Sequence, residues 1–276
     1  MKQFLLSILI LTAYMANAQN YKVMTYNIRL DIAIDGDDRW DNRKEMLAGQ
    51  VQFYEPDFLG VQEAMPQQMR YIDSILVDHS YIGVGRDDGK EKGEHSAIFY
   101  NDKKFKVLQQ STFWLSQTPA TPSKGWDAAY NRVCTYGLFR DLKTKKSFWV
   151  FNLHLDHVGN EARVKGVQLV LSKITAINSK KYPVFLMGDF NSEPNTPQIL
   201  EVKKVMEDTR DVSIEKPFGP SGTFNDFKHD KPVTLLIDYI FVSKNGGLKI
   251  RKHAVLSDSK DLKYPSDHLP VLIEID

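Results

Sequence analysis

Eight short runs rich in β-branched and aromatic residues punctuate the chain, at 22–28, 58–62, 96–100, 133–139, 148–153, 184–187, 239–242 and 271–275. Each has strand length and is flanked by turn residues, so each reads as a β-strand. Between them lie two stretches with helical spacing. Met46, Leu47, Val51 and Tyr54 share one face of the first, and Val164, Val167, Leu171, Ile174 and Ile177 share one face of the second. Glu161 falls in the opening turn of the second, where a negative charge suits the helix dipole. Several strands follow one another with no helix between. That mixture predicts an α/β (α+β) layered sandwich rather than a strictly alternating doubly wound sheet.

The ends of these runs carry the chemistry. Asn27 and Glu63 close two of them, His154 follows 148–153, and Asp189 follows 184–187. Polar groups that repeatedly terminate apolar strands gather at one edge of a sheet, where loops build sites. No Pro/Gly/Ser-rich linker, repeat or low-complexity tract interrupts 19–276, which predicts a single domain. Residues 1–18 differ. Lys2, an apolar run over 4–11 and Ala16-Asn17-Ala18 have the layout of a secretory signal peptide, too short to span a bilayer. Cleavage near Ala18 predicts an exported protein, periplasmic or extracellular. Lys2 lies in that leader, so 35 of the 36 basic residues face 35 acidic ones. A balanced charge argues against long, salt-dominated wrapping of nucleic acid, although a local basic groove remains compatible with it. Cys134 is the sole cysteine, so no intramolecular disulfide forms, and its setting in Arg132-Val133-Cys134-Thr135-Tyr136 suits a small buried hydrophobe.

The acidic residues Glu63, Asp189 and Asp267, with the amide oxygens of Asn27 and Asn191, make an oxygen-rich set suited to a hard cation. Magnesium prefers such ligands, with manganese or calcium as alternatives. No Cys₂His₂ or His-x-x-x-His pattern suggests zinc. The segment from Asp31 to Gly36 superficially resembles a calcium loop, but Ala33 and Asn42 stand where ligands are needed. Two histidines complete a hydrolytic set, because phosphate-ester hydrolysis needs an activated water, a Lewis acid and a group on the phosphoryl oxygens. Asp238 lies inside the apolar run Leu236-Ile237-Asp238-Tyr239, where an unpaired carboxylate is costly, and His268 is its expected partner. Each motif alone also has an ordinary reading as a turn or a strand cap. Trp40, Trp114 and Trp126 fall near loops and serve either as a ligand platform or as packed anchors.

Six motifs then occur in a recognisable order: Tyr26-Asn27-Ile28, Val61-Gln62-Glu63, Asn152-Leu153-His154, Gly188-Asp189-Phe190-Asn191, Ile237-Asp238-Tyr239-Ile240 and Ser266-Asp267-His268-Leu269-Pro270. In this the chain resembles the endonuclease/exonuclease/phosphatase superfamily, the DNase I-like metal-dependent phosphoesterases. Gly93-Glu94-His95-Ser96 and Gly222-Thr223-Phe224 are similar to intermediate parts of that family. The resemblance implies a four-layer sandwich, two central mixed β-sheets flanked by helices, with the site at one rim. It implies that Glu63 binds the metal, with Asn27 and Asp267 contributing directly or through water. Asp189 would orient or deprotonate the attacking water, and Asn191 would hold the phosphoryl oxygens. His268, oriented by Asp238, would contact the scissile phosphate, and His154 would bind phosphate or assist the leaving group. Arg132 is a substrate-phosphate contact or else a surface ion pair. Arg29 stands where the abasic-site endonuclease branch has an Asp, and His154 where it has a Tyr, which disfavours that DNA-repair role. His154-Leu155-Asp156-His157 is closer to branches that include secreted nucleases, sphingomyelinases and inositol-phosphate phosphatases. Phe113-Trp114-Leu115-Ser116 with Asn131-Arg132 resembles exported bacterial members. The expected activity is metal-assisted hydrolysis of a phosphate ester, a phosphodiester first. Nucleic acid and a membrane lipid headgroup both remain open as partners, and no protein partner is implied. A catalytically silent binding module is the reading from another class, and the full set of site residues argues against it.

Overall fold

The computed structural model describes residues 20–244 and 246–276, so the signal peptide expected at 1–18 lies outside the described residues. The first half of the chain runs β1 (Tyr21–Asn27), α1 (Trp40–Tyr54), β2 (Phe58–Gln62), α2 (Pro66–Ile75), β3 (His79–Ile82), β4 (Ile98–Asn101), β5 (Phe105–Trp114) and β6 (Val133–Asp141). The second half runs β7 (Ser147–His154), α3 (Asn160–Ile177), β8 (Val184–Asp189), α4 (Pro197–Val205), β9 (Met206–Asp208), α5 (Thr209–Val212), β10 (Asp238–Ser243), β11 (Ile250–Val255) and β12 (Val271–Ile275). A short 3-10 segment, Ala33–Asp38, precedes α1. Among the described residues, no helix is long and apolar enough to cross a membrane.

The strands form two six-stranded sheets, ordered β11-β12-β1-β2-β4-β3 and β5-β6-β7-β8-β10-β9. At the heart of each is one parallel pair, β1 with β2 and β7 with β8, crossed over by α1 and α3; every other pairing is antiparallel. Alternation along each strand divides the core into three slabs. Val23, Phe58 and Ile98 face Phe148, Val150, Phe185 and Ile240 between the sheets. Met24, Tyr26, Leu59 and Val61 meet Leu47, Val51, Met69 and Ile72 of α1 and α2 on one outer face. Phe151, Leu153 and Leu186 meet Val167, Val170, Ile199 and Val202 of α3 and α4 on the other. The result is the four-layer, DNase I-like sandwich that the resemblance implied. Central strands buried on both faces read as unbroken apolar runs, which is why the sequence reveals them.

Four strands were not anticipated: β3, β5, β9 and β11. They are the four sheet edges. Edge strands bury less and carry more polar residues, and β5 exposes Lys106, Gln109, Gln110 and Ser111. Three helices were also missed, and α5 is a single turn. Both α2 and α4 open on a proline and bury a glutamine, Gln68 and Gln198, so their apolar stripes are too narrow to register.

Two buried groups matter for stability. Arg43 of α1 donates from its guanidinium to four carbonyls, Asp38 O at 2.9 Å, Ile28 O at 2.6 Å, Pro265 O at 3.0 Å and Arg29 O at 2.7 Å. It therefore ties the loop after β1 to the loop before β12. Arg43→Met should strand these carbonyls and cost about 3 kcal/mol, lowering Tm on the order of 10 °C. A thermal melt within about 2 °C of wild type would show that the clamp is dispensable.

His253 of β11 is buried, with Nδ1 3.0 Å from Thr209 Oγ1. Burial, then the nearby Arg210 charge, lowers its pKa to about 4. Folding thus favours the neutral ring. The stabilisation is fully present above the unfolded pKa and is lost as pH falls from about 6.5 toward 4, up to about 3 kcal/mol. Urea titrations across that window should show a smaller acid loss for His253→Gln than for wild type. Parallel pH profiles would remove His253 from the account.

Candidate active site

The parallel pairs carry their C-terminal ends to one rim. Asn27 sits opposite Gln62, immediately before Glu63, and His154 sits opposite Asp189. Asp238 opens β10 directly across from Asp189. Thr25 pairs with Val271, which brings the loop before β12 alongside the end of β1, and Ser266 Oγ donates to Asn27 O at 2.7 Å. Gly188 has φ +141°, and a Cβ there would lie 2.0 Å from Leu153 O. Only glycine lets β8 close on β7 at this point. Arg29, Glu63 and Asn191, each just past a strand end, adopt left-handed φ values of 55°, 61° and 45°. Non-glycine residues are held in that region at a cost and concentrate at functional sites.

A dense hydrogen-bond network joins these ends. Asn27 Nδ2 donates to Glu63 Oε1 at 3.0 Å and to Asp189 Oδ2 at 2.9 Å, while its Oδ1 accepts from Arg29 N. Glu63 Oε2 accepts from Leu30 N, and Asp189 Oδ1 from Asn191 N at 2.8 Å. Asn191 Nδ2 donates to Leu155 O and lies 3.1 Å from His154 Nε2, which is 3.4 Å from Asp189 Oδ2. His268 Nδ1 lies 2.8 Å from Asp238 Oδ2, and Thr223 Oγ1 donates to the same oxygen at 2.6 Å.

The two histidines are driven to opposite charge states. Burial and the Arg132 and Arg86 charges hold His154 well below the usual imidazole range. Burial also disfavours charge on His268, but Asp238, Asp267 and Asp189 outweigh it and hold the ring protonated. Burial, then the Asp238 charge, raises the pKa of Asp189, and burial similarly raises that of Asp267 despite His268. Glu63 goes the other way. Burial opposes its ionisation, yet His268, the Asn27 amide and Leu30 N–H lower its pKa overall.

A cavity of about 590 Å³ opens over this rim, and Glu63, Arg132, His154, Asp189, Asn191, Asp267 and His268 line it. Asn27 and Asp238 stand behind the wall and orient the side chains in front. Arg132 is buried against the site: Nη1 lies 2.9 and 3.0 Å from the ring nitrogens of His154, Nη2 lies 3.0 Å from His157 Nδ1, and Nε lies 3.4 Å from Asp156 Oδ2. The alternative of a surface ion pair therefore fails. Burial opposes the charge on Asp156, but the N–H groups of Gly159 and Val158 and the Arg132 charge lower its pKa to about 2. It anchors the arginine as an anion. The tryptophan platform does not form. Trp40 is buried edge-on to Tyr71, Trp114 is buried and donates to Arg86 O at 2.7 Å, and Trp126 does not line the cavity. Cys134 is fully buried and its thiol pKa is pushed up by that burial, as befits a packed residue.

Four site-building residues escaped sequence reasoning: Arg43, Arg86, Glu94 and Thr223. Glu94 and Thr223 lie in segments noted only for their resemblance. Arg86 and Glu94 line the cavity and pair through Nη1 and Oε2 at 2.6 Å. No periodicity marks a charged pair brought together by a loop.

The donor set fits a divalent cation. Ligand atoms of Glu63, His154 and Asp189 lie within 4.8 Å of one another, as do those of Asp189, Asp238 and His268. Asp267 adds a further carboxylate to the cavity wall beside Glu63. Acidic groups crowded into a partly dry cavity, several with raised pKa values, are relieved by a hard cation with oxygen ligands.

Comparison with known proteins agrees with this geometry. The family model described as "Endonuclease/Exonuclease/phosphatase family" matches residues 24–268. A solved mannosyl-6-phosphatase from Bacteroides thetaiotaomicron is 38% identical, with TM-score 0.88 over 93% of this chain and 99% of that one. A second solved protein from that organism, described as an endonuclease/exonuclease/phosphatase family protein, is 37% identical with TM-score 0.88, covering 93% of this chain and 97% of that one. The 3'-5'-exoribonuclease subunit of the CCR4-Not complex of Saccharomyces cerevisiae is 21% identical over 84% of this chain, which spans only 35% of that protein's length. The chain belongs to the endonuclease/exonuclease/phosphatase family, whose members are metal-dependent hydrolases of phosphoester bonds.

Proposed function

We propose that the chain is an exported, magnesium-dependent phosphatase acting on a phosphate monoester of a sugar. The convergence of Glu63, His154, Asp189 and His268 on one cavity is the observation that carries the hydrolytic reading. The choice of ester rests on the 38% identity to a mannosyl-6-phosphatase, set against the 21% shared with the yeast exoribonuclease. It departs from the sequence-based expectation, which put a phosphodiester first. A phosphodiester in RNA is the second reading, supported by that more distant exoribonuclease. The leader-like segment at 1–18 supports export.

Glu63 and Asp267, with Asn27 behind them, are the residues that would hold the cation. When bound, it supplies Lewis acidity at the phosphoryl group. Asp189, fixed by Asn27 Nδ2 and Asn191 N–H, orients the attacking water and takes its proton as the new P–O bond forms. His268, kept cationic by Asp238, donates to a phosphoryl oxygen and stabilises charge as it develops. Neutral His154 and the Asn191 amide border the same space and hold the remaining phosphoryl oxygens, with Arg132 backing the imidazole. The ester P–O bond breaks, and the proton that Asp189 took returns through solvent to the leaving sugar oxygen, which departs as the alcohol.

Turnover of a hexose phosphate should stop in chelator and return with added magnesium. Hydrolysis indifferent to chelator would contradict the metal reading. Asp189→Asn and His268→Ala should each lower kcat by about 1,000-fold or more while leaving the melting profile folded. Near-wild-type rates in both variants would show the roles to be misassigned. Export predicts that the protein recovered outside the cytoplasm begins near Gln19. An intact N-terminus in the cytoplasmic fraction would refute it.

A further inference from the structure

We propose that Arg86, Glu94 and Tyr130 form the subsite that receives the hydroxyls of the sugar. This rests on the sugar-phosphatase reading above and assigns its specificity to residues outside the hydrolytic set. The subsite adjoins the place where the phosphate would sit. Glu94 Oε2 is 3.9 Å from His154 Nδ1, and Tyr130 and His157 complete that side of the cavity.

The chemistry matches a polyol. A hydroxyl both donates and accepts, so it is best met by an acceptor and a donor side by side. Glu94 and Arg86 offer this as a joined pair, Nη1 to Oε2 at 2.6 Å. Glu94 lines the cavity, and its Oε1 makes no hydrogen bond among the described residues. Arg86 Nε, likewise, is buried without a partner among them. Tyr130 supplies a firm apolar wall for the C–H groups of a ring. Its ring packs on His157 at 5.9 Å and 18°, Arg86 Cζ lies 5.2 Å from its centroid, and 53% of the residue stays exposed.

The test compares kcat/KM for a hexose 6-phosphate, phenyl phosphate and a dinucleotide in wild type, Glu94→Gln and Tyr130→Ala. The half-exposed position of Tyr130 keeps that variant folded even if Glu94→Gln is unstable. Wild type should prefer the hexose phosphate to phenyl phosphate, and each variant should lower that preference by about tenfold or more. A merely structural role would depress all three substrates alike and leave the ratios within about twofold, which would overturn the proposal. Wild type that hydrolyses hexose and phenyl phosphates equally well also overturns the subsite, but leaves the phosphatase reading standing. Wild type that prefers the dinucleotide overturns the phosphatase reading itself.

Discussion

The carboxamide of Asn152 bridges the two sheets directly beneath the catalytic rim. Its Nδ2 donates to Val61 O at 2.9 Å and to Ala97 O at 2.8 Å, and its Oδ1 accepts from Gln62 Nε2 at 2.7 Å. Asn152 stands two residues before His154, and Gln62 one before Glu63. The bridge therefore sets the end of one parallel pair against the end of the other. Buried amides with their bonds made are held tightly, because leaving any of them unmade is expensive in an apolar slab. Gly60 allows the close approach, since a Cβ there would meet Met187 Cε at 2.6 Å and the Asn152 carboxamide at 3.0 Å. Everything at the rim inherits its position from this register.

Given that register, the charge states follow. His154 arrives beside Arg132 and loses its proton affinity, whereas His268 arrives beside Asp238 and keeps its proton. One site thus contains a neutral and a cationic imidazole, distinguished only by neighbours. Asp156 extends the first arrangement, fixing Arg132, and Thr223 extends the second, fixing Asp238. The carboxylates between them are the reason a hard cation fits. Without it, Asp189 and Asp267 resist ionisation.

The sequence discloses the interior of the fold and hides its margins. β1, β2, β7, β8, β10 and β12 are covered on both faces and read as apolar runs, while the edges β3, β5, β9 and β11 answer partly to water and lose that signature. The polar residues that end central strands were legible because each interrupts an apolar run: Asn27, Glu63, His154 and Asp189. Glu94, Arg86 and Arg43 were not. They sit on loops or a helix among other charges, and only tertiary packing separates a buried charged residue from the solvated ones around it. Trp40 and Trp114 show the same limit, since the sequence left platform and packed anchor both open and packing makes them anchors.

The central claim is that the two parallel strand ends and the β10 and β12 approaches make one metal and phosphate site. A crystal of the protein grown with manganese and inorganic phosphate tests this most directly, through the anomalous signal of the metal. The account predicts manganese on the Glu63 carboxylate, with phosphate beside it between His154, Asn191 and His268. Manganese bound away from Glu63, or phosphate bound outside that group of side chains, would contradict it.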